Sequence, residues 1–439
     1  MTQAVGKIAL SLTMLLASLL AGNVYAALTI EITKGVDAGI PIAVVPFEWK
    51  SSSPPPQFVA DIIESDLVRS GRFESIPRKD FLAAPHDHDE VKYKNWRLLK
   101  TEALVVGRIN VLEPDKFEVR FQLLDVYKEK QLAGYQFVID TSKMRKVAHQ
   151  ISDIIYEALT GKPGAFDTRV AYVTVQKTAS EGNRHLLLVA DSDGYAPRQI
   201  LSSTDSIMSP AWAPNGSQLA YVSFEGGRSM IFVQDVFTGK RRRVASFEGL
   251  NSAPAWSPDG SQMAMTLSRD GNSEIYIMQM ASSKLRRVTN HLAIDTEPAW
   301  SPDGKSLVFT SGRAGRPQIY QVPAAGGKAT RLTFEGIYNA RPSFSPDGDR
   351  LVLVTNQGNG YQIGVFYLDT RSTQVLTDSR LDESPTFAPN GDMILYASQV
   401  SGRGVLAAVS VDGRVKQRLE LIGGTVREPA WSPFNQKLK

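Results

Sequence analysis

The 439-residue chain contains no cysteine. That absence removes disulfides, zinc–thiolate sites, thiol nucleophiles and the acylated cysteine of a lipoprotein in one step, yet it leaves every compartment open, oxidising ones included. Histidine is scarce, with five in all. His86 and His88 stand in the polar run His86-Asp87-His88-Asp89-Glu90, whose side chains are adjacent rather than spaced to converge on one ion. His149 falls in a helical stretch, His185 in a strand-like one and His291 between strands, none in a recognisable nucleophile setting. No Gly-x-Ser-x-Gly elbow occurs either. No metal site, cofactor or enzymatic activity is therefore expected. Charge of one sign is also lacking: 49 Lys and Arg against 45 Asp and Glu leave a net charge of +4. The longest basic run, Arg241-Arg242-Arg243, has a counterpart in Arg286-Arg287 at the same repeat position, so it reads as a solvated strand end. Nucleic acid is not an expected partner, because that would need a clustered patch.

Long apolar runs are confined to the beginning. Lys7 precedes an apolar stretch from Ile8 to Leu20, and Val24-Tyr25-Ala26 supplies small residues at a cleavage position. This is the pattern of a secretory signal over residues 1–26, too short in its apolar core to span a bilayer. The expected mature chain starts at Ala27 and is soluble outside the inner membrane.

What the chain does have is a repeat. Pro254-Ala255-Trp256-Ser257-Pro258-Asp259-Gly260 returns 44 residues later as Pro298-Ala299-Trp300-Ser301-Pro302-Asp303-Gly304, and again as Pro342-Ser343-Phe344-Ser345-Pro346-Asp347-Gly348. Looser copies begin at Pro210, Pro385 and Pro429. A period of about 40–50 residues is that of a propeller blade. The leading Pro, lacking an N–H, suits a strand whose open edge faces a channel. The aromatic ring fills the space between blades. Ser-Pro-Asp-Gly then turns the chain, with Gly in the left-handed position. Further strands repeat in step: Leu219, Met263, Leu307 and Leu351 in one, Ile231, Ile275, Ile319 and Ile363 in the next. Their alternation marks half-buried strands, and no window here has helical spacing.

Counting the ends sets the number of blades. The last inner strand, around Glu428–Trp431, has almost no chain after it, whereas Val170–Gln176, His185–Ala190 and Arg198–Leu201 lack an inner strand before them. Joining the C-terminal strand to those three makes six blades with no free edge left in the ring. The predicted fold is an α/β N-terminal domain over residues 37–161, a linker at 162–168 and a six-bladed all-β propeller over 169–439, closed by that pairing. In the first domain, Ile42–Phe47 reads as a strand and Gln57–Arg69 as a helix, with another through Trp96 to Lys100. Three alternating strands follow, then an amphipathic helix at Lys143–Leu159 with Met144, Val147, Ile151, Ile154, Ile155 and Ala158 on one face. Ahead of this domain, Ala27–Val36 holds the alternating run Leu28, Ile30, Ile32 against Thr29, Glu31, Thr33. It is either an edge strand of the domain that follows or an arm offered to a partner by strand addition.

The segments before each inner strand surround one mouth of the channel, and they differ from blade to blade. Met208 and Ser209, Leu250, Asn251 and Ala253, Asp295, Thr296 and Glu297, Arg341, Asp382 and Glu383, and Arg427 are the candidate contact residues. Mixed acids, arginines, amides and small apolar groups suit a protein surface better than a sugar or an ion, and divergent loops on a repeated scaffold are where specificity lies.

Taken together, the signal, the α/β domain and the six Pro-led aromatic blades resemble the TolB family, the periplasmic propeller proteins of the Tol–Pal system. The similarity runs through Gly39-Ile40-Pro41-Ile42-Ala43-Val44-Val45-Pro46-Phe47, Met208-Ser209-Pro210-Ala211-Trp212, Val244-Ala245-Ser246-Phe247, Thr296-Glu297-Pro298 and Leu381-Asp382-Glu383-Ser384-Pro385. It covers essentially the whole chain. The resemblance implies a non-enzymatic, monomeric scaffold whose propeller mouth binds the lipoprotein Pal and whose arm, Ala27, Leu28, Thr29, Ile30, Glu31, Ile32 and Thr33, binds the C-terminal domain of TolA. It implies association with the outer membrane only through Pal, and a role in membrane integrity and envelope constriction during division. Two departures stand out: Pro433-Phe434-Asn435 replaces the last Pro-Asp-Gly turn, and the arm has no close literal match to the enterobacterial one. Two other classes compete. A propeller-bearing hydrolase would need a Ser/His/Asp arrangement that the α/β part lacks. A glycan-binding propeller would need exposed aromatics at the mouth, where Tyr338 alone is foreseen.

Overall fold

The computed structural model describes residues 27–32, 39–51, 54–178, 182–420 and 424–435. The expected signal and Thr33–Val36 of the arm lie outside the described residues.

The first domain is built on a mixed sheet. Its strands run in the order Phe73–Ser75, Ile40–Val44, Ala103–Glu113, Lys116–Asp125, Lys130–Asp140, with Glu48–Trp49 also on Ala103–Glu113. The pairings of Ile40–Val44 are parallel, and the two long hairpin pairings are antiparallel. Alternation sends Ile42, Val44, Ala103 and Val105 to one face, where α1 (Val59–Arg69) and, much later in the chain, α3 (Met144–Thr160) cover them. Ala43, Val45, Leu104 and Val106 go to the other face, around Trp96 of the short helix α2 (Tyr93–Leu98). Boundaries shift slightly from those expected. The strand stops at Val44, just before Pro46, which has no N–H to give a ladder. Helix α1 starts at Val59, after Phe58, whose backbone is non-helical and whose side chain provides no cap. Ala158 of α3 is exposed rather than on the buried face. Gly161 ends α3 in the left-handed conformation, φ 75°, as a helix C-terminus favours.

Six separate sheets follow, one per blade. Blade one takes its inner strand from the far end of the chain: Thr425–Trp431 pairs antiparallel with Arg169–Thr178, and Gly182–Asp191 and Arg198–Ser203 continue outward. The inner strands of blades two to six are Ile207–Trp212, Asn251–Trp256, Asp295–Trp300, Tyr338–Phe344 and Asp382–Phe387. Neighbouring blades meet through side chains. Met263 and Met265 of blade three pack with Ala220 and Val222 of blade two, and Leu351 and Leu353 of blade five pack with Val308 and Ile319 of blade four. Two of the motif tryptophans bridge blades as well as filling space: Trp212 Nε1 donates to Ala430 O at 3.1 Å and Trp300 Nε1 to Ala255 O at 3.1 Å. Gly260, Gly304 and Gly348 of the Pro-Asp-Gly turns have φ of 71°, 69° and 81°, the left-handed role foreseen for them.

The α/β domain sits on the end of the propeller that carries those turns. Tyr156 Oη donates to Asp392 at 2.7 Å, Lys162 Nζ lies 2.7 Å from the same carboxylate, and Asn390 Nδ2 donates to Pro163 O at 3.1 Å. On blade one, Arg69 donates to Ser192 Oγ at 2.9 Å. The opposite end, where the inner strands begin, is left uncovered by the first domain.

Because blade one's inner strand comes from the C-terminus and also receives the Trp212 hydrogen bond, a chain ending at Gly424 should lose the ring as a whole. The expected outcome is a calorimetric trace without the propeller's cooperative transition; an unchanged transition would show that five complete blades suffice.

Candidate functional site: the uncovered mouth of the propeller

The uncovered end is shaped by how each inner strand handles its unpaired edge. The residues expected as loops before these strands are in fact their opening positions, since the strands begin at Ile207, Asn251, Asp295, Tyr338, Asp382 and Thr425. A register shift interrupts every one of them just before its proline. At that step the residue before proline takes the left-handed conformation: Ser209, Ala253, Glu297, Arg341, Ser384 and Glu428 have φ of 51°, 47°, 56°, 54°, 55° and 52°. The next residue has no N–H to leave unsatisfied. In two blades the left-handed residue turns its own N–H to a threonine of the neighbouring blade: Glu297 N donates to Thr266 Oγ1 at 3.2 Å and Arg341 N to Thr310 Oγ1 at 3.0 Å. Each non-glycine residue held this way costs about 1–2 kcal/mol. None of the six is glycine, so every blade places a side chain on the wall of a channel of about 640 Å³.

Four of those six side chains join across the channel. Arg341 Nε lies 3.0 Å from Glu297 Oε1, and its two terminal nitrogens donate to Glu428 at 2.8 and 2.9 Å. Arg341 also donates to Ser384 Oγ, and Thr310 Oγ1 donates to Glu297 Oε2 at 2.8 Å. Blades four, five, six and one are thereby connected through one guanidinium. Burial alone would disfavour the charge on Arg341, but Glu428 and Glu297 outweigh it and raise its pKa. Burial likewise pushes Glu428 up, yet the charge and hydrogen bonds of Arg341 bring it below the usual carboxylate range. Beside them Glu383 is held above that range by burial and by Glu428.

The sequence-expected residues divide by where they point. Met208, Leu250 and Arg427 are exposed at the mouth, and Ser209, Ala253, Thr296, Glu297, Arg341 and Glu383 are half-buried at it or in the channel. Asn251, Asp295 and Asp382 are buried in the blades. Asn251 holds the preceding loop, accepting from Phe247 N at 2.9 Å and donating to Phe247 O at 2.8 Å. Asp295 accepts from Ser311 Oγ at 2.7 Å and Arg313 at 2.5 Å. Asn339 shares this repeat position and likewise secures the preceding connection, donating to Glu335 O at 2.7 Å. Asp295 is held within its own blade, and the two carboxylate oxygens of Asp382 are buried without a hydrogen-bond partner among the described residues.

Sequence reasoning missed the apolar rim. Leu292 is 98% exposed and Phe334 63%, and Ile294, Ile337, Tyr361 and Leu381 are exposed with them. All lie in the connections at the uncovered end. Their signal was a large apolar residue where strand alternation has already ended. Tyr338 is not alone among aromatics here: its ring meets that of Tyr361 edge-on, with centroids 5.1 Å apart.

The arm is a strand, though not of the domain that follows it. Ala27–Ile32 pairs antiparallel with Val415–Glu420, Ala27 opposite Glu420 and Ile32 opposite Val415, as a fifth strand on the outer edge of blade six. The outer strand of a blade has a free ladder edge, and the arm's backbone fills it.

Comparison with known proteins bears on both domains. A family model described as the TolB amino-terminal domain matches residues 28–132, and one described as the TolB beta propeller domain matches residues 156–435. The Tol-Pal system protein TolB of Nitrosococcus oceani is 58% identical over 411 residues, 94% of this chain and 94% of that protein. Its namesake from Methylobacillus flagellatus is 57% identical over 414 residues, again 94% of each. Among solved structures, TolB from Acinetobacter baumannii superposes with a TM-score of 0.85 at 42% identity, covering 93% of this chain and 100% of that one. No helix among the described residues is long and apolar enough to cross a membrane.

The arginine network makes a sharp stability test. Arg341→Met leaves buried Glu428 without its cation and should cost ~3 kcal/mol in urea unfolding. Adding Glu297→Gln and Glu428→Gln to it should return much of that loss; a triple variant no more stable than the single one would contradict the charge-pairing account.

Proposed function

The chain belongs to the TolB family, a component of the Tol–Pal system, and from that premise we propose that it is a non-enzymatic periplasmic scaffold binding two proteins at two places. The uncovered mouth takes the lipoprotein Pal, and the arm Ala27–Val36 is captured by the C-terminal domain of TolA. The observation that supports the first assignment best is the rim of exposed apolar side chains, Leu250, Leu292, Ile294, Phe334, Ile337 and Leu381, around a half-buried charged channel. Apolar anchors surrounded by polar groups are the anatomy of a protein interface. The arm's pairing on blade six supports the second, because one antiparallel edge partner can be exchanged for another. On this reading the protein reaches the outer membrane only through Pal, and loading and unloading of Pal serves membrane integrity and constriction during division.

The two sites act on each other through blade six. Its outer edge carries the arm, and its inner strand brings Ser384 to the channel with half-buried Glu383 next to it at the mouth. A docked arm favours the mouth that Pal prefers, and TolA, by taking the arm, withdraws that preference. Such coupling can be no larger than the difference in each partner's affinity for the two states.

Leu292→Asp and Phe334→Asp, or Glu297→Lys, should each weaken Pal binding by about 2 kcal/mol or more in calorimetric titration if they are central anchors. Wild-type affinity in all three would place the interface elsewhere. Removal of residues 27–36 should abolish TolA binding and change, without eliminating, Pal affinity; a protein so shortened that binds both partners as before would refute the coupling.

A further inference from the structure

The contact between the two domains contains a group of ligating side chains that neither partner site uses. His149 of α3 is 2% exposed, and its Nδ1 lies 2.7 Å from Oδ2 of the equally buried Asp66, itself paired to Arg69 at 3.0 Å. With Nδ1 so engaged, Nε2 is buried and has no hydrogen-bond partner. Across the interface, the turn after Gly182–Asp191 of blade one brings Asp191 and Asp193. One ring nitrogen of His149 and one oxygen of each carboxylate lie within 4.8 Å of one another.

We propose that His149, Asp191 and Asp193 form a site for a divalent first-row transition ion such as zinc, clamping the α/β domain to the propeller. A buried imidazole that gives its other N–H to a carboxylate has the tautomer and orientation of a metal ligand, and Asp66 supplies that carboxylate. One imidazole with two carboxylates, and no thiolate anywhere in the chain, suits zinc or manganese better than a soft ion. Three protein ligands leave a position for water. Arg145 already neutralises the pair, through Asp191 Oδ2 at 3.1 Å and through Asp193 Oδ2. Asp193 Oδ1 accepts Tyr195 N–H at 3.0 Å and keeps a second lone pair, and Asp191 has a second carboxylate oxygen besides the one paired to Arg145. The ion therefore enters beside the guanidinium instead of replacing it. Its path is on the side of Asp191, whose side chain is 36% exposed. Because the ligands come from both domains, the ion binds the docked arrangement and not the separated one, and stabilises it by mass action.

The test is zinc titration of the untagged chain lacking residues 1–26, read by calorimetry and by thermal unfolding. One ion per chain, a rise in unfolding temperature and its reversal by chelator are expected. Asp193→Asn and His149→Gln should each abolish that binding, Asp66→Asn should weaken it by roughly 10- to 100-fold, and His86→Ala with His88→Ala should leave it intact. If His149→Gln does not fold, Asp193→Asn decides alone. Absence of one-to-one zinc binding, full binding by Asp193→Asn, or anomalous density at the His86–His88 loop would overturn the proposal.

Discussion

Every blade of this propeller has to end its sheet against an open channel, and the rest of the molecule follows from how that bare edge is managed. A strand with one unpaired side presents N–H and C=O groups that need water, a partner or removal. Here the inner strands are interrupted by an extra residue, a left-handed turn of the backbone and then a proline. The proline deletes one donor, and at Glu297 and Arg341 the left-handed residue redirects another to a threonine of the adjacent blade. The channel wall is thereby stitched sideways between blades three and four and between blades four and five, although the named strands among the described residues pair only within their own sheets. Glycine would adopt that backbone at less cost. Its absence from all six positions keeps a side chain aimed at the channel in every blade.

Those six side chains are where a nearly symmetric ring becomes asymmetric. Serine and alanine in blades two and three leave their side of the channel narrow in chemistry and neutral. Glu297, Arg341, Ser384 and Glu428 make the other side a continuous charged bridge. A buried cation between two carboxylates is weak evidence for stability, since desolvation offsets much of the attraction. It does set orientation: a partner approaching the mouth meets a basic exposed Arg427, a raised Glu383 and an apolar rim in a fixed rotational order. That order distinguishes one docking pose from the five related by the pseudo-symmetry.

Much of this was legible in the sequence, for reasons that can be located. Pro-Ala-Trp-Ser-Pro-Asp-Gly repeats because proline, aromatic and turn glycine each answer a constraint that recurs in every blade, so blade number and strand order could be counted. The left-handed positions could not be seen, because the residue before proline varies from Ala253 to Arg341 while its backbone does not. Asn251, Asp295 and Asp382 stand in the segments that open the inner strands, and that position alone suggests the mouth although their side chains are buried. Their common repeat position was the better signal, since it points into the blade, where Asn251 and Asn339 hold backbone carbonyls. The rim escaped for the opposite reason: Leu292 and Phe334 lie where no periodicity survives to mark them.

The site of the arm was illegible on principle, and it is the feature that ties the parts together. Pairing of Ala27–Ile32 with Val415–Glu420 spans nearly the whole chain, and an edge strand carries no local mark of which edge it will choose. The strand it chose already has other neighbours. A Cβ placed on Gly71 of the α/β domain would lie 2.1 Å from Val415, so the two surfaces are in close contact, and Gln417 donates to Arg69 O. Arg69 in turn holds Asp66, and Asp66 holds His149. One strand of blade six is therefore at once the arm's partner and the first domain's support. Four strand spacings, roughly 19 Å, separate the arm from the channel wall in a single hydrogen-bonded sheet. The coupling proposed between arm and mouth runs through this one sheet, from its outermost strand to the innermost one that carries Glu383 and Ser384.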